Sequence, residues 1–290
     1  MAKCVSSLAE GIIVQTSRLW NTNSTVITGI GRESRATIVI DPGWFPDEIE
    51  DLERFARETP PGRATHVLFT HGDFDHVVAW EDFPDANLIA HPKAAHRDAS
   101  EIEGQVADLD SKRGTVRPRP YRYPSADAFP VSVPEYLDLG GETALFFPAP
   151  GHQADGLFTV LPERHVLIAG DYLSDEEFPF IYHSLPEYRS TLLLARELCR
   201  RYGIVKEVPG HGQVASTPEE IEYRIATDLD HLDRLEAGVN AAKADGLSYD
   251  EAVKKLASFT FRGEPITRLA KAHIDNVRTL YGVQREWEPS

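Results

Sequence analysis

Residues 70–76 read T-H-G-D-F-D-H. Two histidines and two aspartates, His71, Asp73, Asp75 and His76, fall within six positions of a chain that holds 11 histidines in 290 residues. Packing gives no reason for that density, because imidazoles and carboxylates are costly to bury unpaired. Both groups are ordinary ligands of first-row divalent metals. The cluster follows an apolar run, HVLFT at residues 66–70, whose length and composition predict a strand. The stretch therefore reads as a ligand-bearing loop at a strand end.

Three other loops share that position. His152 follows ALFF in PAPGH, Asp171 follows HVLIA in AGD, and His211 follows IVKEV in PGHG. Loops at one edge of a sheet converge on a single site. Gly72, Gly151, Gly170, Gly210 and Gly212 stand beside these residues, and glycine lets the backbone turn close to a bound ion. The two cysteines, Cys4 and Cys199, are far from the cluster in sequence and form no CxxC pair. A thiolate or iron–sulfur site is excluded, and a reducing compartment is implied.

Short apolar runs ending in turn residues recur from residue 24 to 208. Helix-like charged stretches at residues 47–58 and 190–202 interrupt them, which predicts a mixed α/β protein. LPERH, residues 161–165, reads as the connection of an antiparallel pair. Residues 112–134 carry five prolines together with Lys112, Arg113, Arg117, Arg119 and Arg122, and they predict a long irregular loop. Thr217, Pro218 and Glu220 form a helix start, and apolar positions from Ile221 to Leu280 continue with helical spacing. The expected division is a catalytic domain at 1–216 and a helical extension at 217–290, packed on that domain or pairing two copies into a homodimer.

The formal net charge is −16, which argues against nucleic acid or an anionic membrane as partner. The N-terminal residues lack the apolar core of a signal peptide, and no run is long enough to span a bilayer. A cytoplasmic protein is expected.

The ordered set His71-x-Asp73-x-Asp75-His76, His152, Asp171, His211 resembles the signature of the metallo-β-lactamase superfamily, HxHxDH followed by GH, GD and GH, with Asp73 in place of a histidine. STVITG…ATIVIDPG, ending near Asp41, is similar to that family's opening strands. The resemblance covers residues 10–215 and implies a four-layer αβ/βα sandwich (α+β) with the site along one edge. It further implies that His71, Asp73 and His152 hold a first divalent ion. Asp75, His76 and His211 would hold a second, and Asp171 would bridge the two. Asp75 and Asp171 are then the expected catalytic carboxylates, and Asp41 an outer support for the ligand loops.

Two such ions activate a water for attack on a carbonyl or phosphorus centre. No serine nucleophile is required, and TGIGRES at residues 28–34 lacks the context of a serine elbow. Asp73 adds a third carboxylate, so with one hydroxide the centre is formally neutral where the usual set leaves +1. That favours iron or manganese, while two histidines and a carboxylate still suit zinc, the ion expected first. Flavodiiron proteins resemble this chain in carrying an acidic residue at that position, but they require a flavin domain that has no counterpart here. Hydrolysis of a small ester, thioester or lactone is the expected activity. Iron redox chemistry, including sulfur dioxygenase chemistry, and a degenerate metal-binding sensor are the alternatives. Tyr172, Ser174, Tyr182 and His183, in the segment after Asp171, are expected to face the cleft. His91 and His96 are weaker candidates. Arg117 and Arg119 are expected to attract an anionic small-molecule substrate.

Overall fold

Alternate residues along the central strands belong to different cores, and this sets the architecture. The computed structural model describes residues 4–29 and 34–283, so residues 30–33 of TGIGRES lie outside it. Strands β1 (Cys4–Ala9), β2 (Ile12–Thr16), β3 (Asn23–Thr28), β4 (Thr37–Ile40), β5 (His66–Leu68) and β6 (Asn87–Ile89) form one sheet in that order. The first four are antiparallel neighbours, and β4, β5 and β6 run parallel. Strands β7 (Tyr136–Asp138), β8 (Thr143–Pro148), β9 (Leu157–Leu161), β10 (Val166–Gly170) and β11 (Lys206–Pro209) form the second, ordered β11-β10-β9-β8-β7.

Ile38, Ile40, Leu68 and Ile89 of the first sheet meet Phe146, Val166, Ile168 and Val208 of the second in an inner core. Val39, Val67 and Phe69 point the other way. They pack under α1 (Pro46–Glu58) and α3 (Ala99–Arg113) through Leu52, Ala56, Ile102 and Val106. Phe158, Val160, Leu167 and Ala169 likewise face α4 (Leu185–Tyr202) and α5 (Pro218–Ala244). Both faces of the central strands are therefore covered, as expected for strands of near-continuous hydrophobicity, while the edge strand β1 is largely exposed. The layers run helix, sheet, sheet, helix, in agreement with the fold class read from sequence.

Helix boundaries follow their caps. Ser184 Oγ accepts from Glu187 N–H at 3.4 Å and Pro186 occupies the first turn, so α4 begins before the charged stretch that announced it. Thr217 caps α5 as expected, accepting from Glu220 N–H at 3.2 Å. Helix α3 was not apparent in the sequence, and its last residues, Lys112 and Arg113, belong to the helix and not to the loop that follows. Helices α6 (Tyr249–Lys255) and α7 (Ala270–Tyr281), with a small hairpin of β12 (Thr260–Phe261) and β13 (Glu264–Pro265), complete the described chain.

The apolar face of the C-terminal helices is satisfied within the chain. Ile221, Ile225, Leu232, Leu235 and Val239 pack with Leu192, Ala195 and Leu198 of α4. Arg224, 1% exposed, fastens α5 to the site loops: Nη1 donates to Leu173 O at 3.0 Å and Gln213 O at 2.8 Å, and Nη2 donates to Glu220 Oε1 at 2.6 Å. Glu207 Oε2 lies 3.3 Å from Nη1. Arg224→Met removes these bonds and leaves buried acceptors unpaired, so stability should fall by about 3 kcal/mol. Equilibrium denaturation checks this, and an unchanged midpoint would remove Arg224 from the account.

Candidate metal centre

The strand directions bring the four loops together. Strands β10 and β11 are parallel, and β8 is antiparallel to β9, which is antiparallel to β10. The C-terminal ends of β8, β10 and β11 therefore share an edge, from which His152, Asp171 and His211 project. The loop after β5 faces them from the first sheet and turns into the short helix α2 (Phe74–Val77). His71, His76, His152 and His211 are 2%, 0%, 3% and 4% exposed.

Each imidazole is held by Nδ1. His76 Nδ1 lies 2.9 Å from Asp41 Oδ2, and His71 Nδ1 3.2 Å from Thr70 Oγ1. His152 Nδ1 is 2.9 Å from Phe180 O, and His211 Nδ1 3.1 Å from Trp20 O. A carbonyl only accepts, so the last two rings carry their proton on Nδ1 and turn Nε2 inward. Asp41 also accepts from Thr70 N–H at 2.8 Å and Thr70 Oγ1 at 2.6 Å. It thus braces the ligand loop, the role expected of it.

The inward atoms form two sets. Asp171 Oδ2 lies 3.6 Å from His71 Nε2 and 3.4 Å from His152 Nε2. Asp73 Oδ2 lies 3.4 and 3.3 Å from the same two nitrogens. On the other side, Asp171 Oδ1 lies 3.1 Å from His76 Nε2 and 3.5 Å from His211 Nε2. Asp75 Oδ2 is 3.8 and 3.3 Å from those nitrogens. Tetrahedral donors about 2.0–2.1 Å from an ion lie about 3.3–3.4 Å apart, so both sets have the spacing of a ligand shell. Among the described residues, Nε2 of His71, His76 and His152 and Oδ1 of Asp171 are buried without a hydrogen-bond partner. Buried polar atoms are normally satisfied, and cations would satisfy these. His71, His152 and Asp171, and separately Asp75, His76 and His211, group as potential ligands. The backbone at Gly210 passes so close that a Cβ would sit 2.1 Å from Asp171 Oδ1.

Asp73 has an outer shell that sequence reasoning missed. Its Oδ1 pairs with the Arg97 guanidinium, and Gln153 Nε2 donates to both oxygens at 2.9 Å. Burial disfavours the charged carboxylate, yet Arg97, His152 and His71 together hold Asp73 well below the usual range. Arg97 offsets the third carboxylate, so the charge count that favoured harder ions at the first position is corrected. Gln153 carried a signal in adjoining His152; Arg97, on an irregular segment before α3, carried none.

Carboxylates act on imidazoles of both sides: burial opposes the charged form of His152, and Asp73 and Asp171 raise it. Burial opposes the charged form of His211, but Glu177, Asp171 and Asp75 raise it to about 10. His76 is raised well above its ordinary value by Asp171, Asp75 and Asp41 against the same burial penalty. The carboxylates draw protons onto these rings, and an incoming cation replaces them.

Most of the expected substrate contacts are committed elsewhere. Tyr172 OH donates to Ala149 O at 2.9 Å and accepts from His152 N–H at 2.9 Å, so it positions the His152 loop. Ser174 Oγ donates to His211 O at 2.8 Å and accepts from Glu176 N–H at 3.0 Å, which makes it a loop staple. His183 Nε2 lies 2.7 Å from Glu187 on the helix that follows. The Tyr182 ring packs 5.2 Å from that of His152, beside the centre. Arg117 Nε and Nη2 donate to Asp110 at 2.6 and 2.9 Å, and Arg119 Nε donates to Glu81 at 3.2 Å. Both guanidiniums are thus engaged by the chain's own acids. His91 Nδ1 accepts from Lys93 N–H at 3.1 Å, His96 is exposed, and neither joins a ligand group. No described helix is long and apolar enough to cross a membrane.

No curated protein matches this sequence. Solved structures do. A metallo-beta-lactamase family protein from Thermus thermophilus is 19% identical, with 98% of each chain covered and a TM-score of 0.62. A double mutant of the sec-alkyl sulfatase PisA1 is 13% identical, with a TM-score of 0.71 over 96% of this chain and 50% of that one. A metallo-beta-lactamase from Pontibacter korlensis is 15% identical, with 78% of this chain and 98% of that one covered and a TM-score of 0.54. At such identities the likeness establishes the fold. The family model of the metallo-beta-lactamase superfamily matches residues 17–211, more than half of the chain and the span from β3 to His211. The chain belongs to the metallo-beta-lactamase superfamily.

Proposed function

We propose that the chain is a hydrolase that holds two divalent ions and cleaves a small ester, thioester or lactone. The observation that carries this reading is the Asp171 carboxylate, whose two oxygens face separate pairs of imidazole nitrogens at 3.1–3.6 Å. His71, Asp73 and His152 would hold the first ion, Asp75, His76 and His211 the second, with Asp171 between them. Bound there, the ions would supply the Lewis acidity that lowers the pKa of a shared water and polarises a substrate oxygen.

The chain's own residues supply the rest. Asp75, 8% exposed, would orient that water and take up its proton. Asp41, Phe180 O and Trp20 O fix the rings, so little reorganisation accompanies reaction. Zinc fits the first set, because Arg97 offsets the charge of Asp73 and leaves the two-histidine, one-carboxylate pattern of a catalytic zinc site. The same pairing removes the reason to invoke iron redox chemistry there.

The direct test is turnover. Zinc- or manganese-loaded protein should hydrolyse members of an ester, thioester and lactone panel, and exhaustive chelation should abolish the activity until metal is restored. Two bound ions with no turnover on any member would refute the hydrolase reading.

Converting Asp73 tests its role as a ligand. Asp73→Ala should lower zinc affinity at the first position by about tenfold or more, read from metal content after growth in mixed metals. Unchanged zinc content would place Asp73 outside the ligand shell. Metal binding should also release protons, because the carboxylates around His211 raise it to about 10 and those around His76 raise it as well, and both rings must be neutral to ligate. Apparent affinity should therefore fall as pH drops from 8 to 6. Calorimetry in buffers of different ionisation enthalpy measures the release, and buffer-independent heats would contradict the assignment.

A further inference from the structure

We infer that Glu177 is an additional carboxylate ligand on the His211 side, which makes the two halves of the centre chemically unlike. This rests on the dinuclear reading above. A carboxylate oxygen of Glu177 lies within 4.8 Å of donor atoms of both Asp171 and His211, close enough for one ion to be shared. Among the described residues, Glu177 is hydrogen-bonded through its backbone N–H, which donates to Ser174 Oγ at 3.1 Å. Its carboxylate has no such partner, while Asp171 Oδ1 beside it is a buried acceptor with none. The three residues are held rigidly. Ser174 ties the Glu177 turn to His211 O at 2.8 Å, and Arg262 donates to Ser174 O and Asp175 O at 2.8 Å each.

The consequence follows from donor counting. The first position is offered two imidazoles, Asp171 and an Asp73 whose charge is offset by Arg97. The second is offered His211 grouped on one side with Asp171 and Glu177 and on the other with Asp75 and His76, and among the described residues no cation pairs with those carboxylates as Arg97 pairs with Asp73. More oxygen donors, more negative charge and a higher donor number suit a harder ion of larger coordination number. The second position is therefore assigned to manganese or ferrous iron in preference to zinc, and the first to zinc.

The test measures binding. Apoprotein already holding one equivalent of zinc is titrated with manganese, and free manganese is followed by electron paramagnetic resonance. The wild type should take up one further equivalent. Glu177→Gln should weaken that uptake about tenfold or more and leave the zinc equivalent in place. Glu177→Asp, which keeps the charge on a shorter arm, should fall between the two. Glu176→Gln, on the neighbouring residue whose side chain accepts from Asn21 at 2.5 Å, should match the wild type. If Glu177→Gln fails to fold by circular dichroism, Glu177→Asp alone decides, and wild-type manganese affinity in it overturns the inference. Unchanged manganese affinity in a folded Glu177→Gln overturns it as well, with the dinuclear reading intact. A wild type that binds fewer than two ions overturns both.

Discussion

Asp171 is the constraint on which the structure turns. Its carboxylate stands directly at the end of β10, between imidazoles from both sheets, with each oxygen addressed to a different pair. Such an arrangement is unstable by itself: three carboxylates and four imidazoles in a buried space demand either protons or cations. The sandwich fixes that demand in place. Loops from two sheets meet edge to edge, the inner core of isoleucines, leucines and valines behind them resists adjustment, and Arg224 ties the C-terminal helix to the loops carrying Asp171 and His211. Folding energy from the apolar layers maintains a polar centre that bound cations would complete.

The departure at Asp73 shows how charge is handled locally. Where the family pattern has a neutral imidazole, this chain has a carboxylate, and Arg97 and Gln153 grip its outer oxygen. The net charge that this half of the site would present to an ion is therefore that of the usual set. A substitution that looks drastic in the sequence becomes conservative once the guanidinium is in view. The same logic, applied where no compensating cation stands among the described residues, separates the second position from the first.

Much of this was legible in the sequence because the signals were local. Each candidate ligand lies within a few residues of a short apolar run, and strand-end placement follows from composition alone. Asp41 was readable as a brace for the same reason, at the end of ATIVID. What escaped was non-local or contextual. Arg97 lies 24 positions from Asp73 and sits in no motif. Glu177 is one member of an acidic run, SDEEF, whose other members face elsewhere. Tyr172, Ser174, Arg117 and Arg119 carried the right chemistry in the right neighbourhood. Yet each has its polar atoms taken by backbone or by acids of the same chain, which only packing reveals. Helix α3 was hidden because its sequence lacks a strong apolar stripe, and Ile102, Val106 and Leu109 are its few buried positions.

The most direct measurement of the central claim is a crystal structure of the metal-loaded protein with anomalous difference maps recorded at the absorption edges of zinc and manganese. Two peaks are predicted, one enclosed by His71, Asp73, His152 and Asp171, the other by Asp75, His76, His211 and Asp171. A single peak, or two peaks of which Asp171 touches only one, would contradict the account.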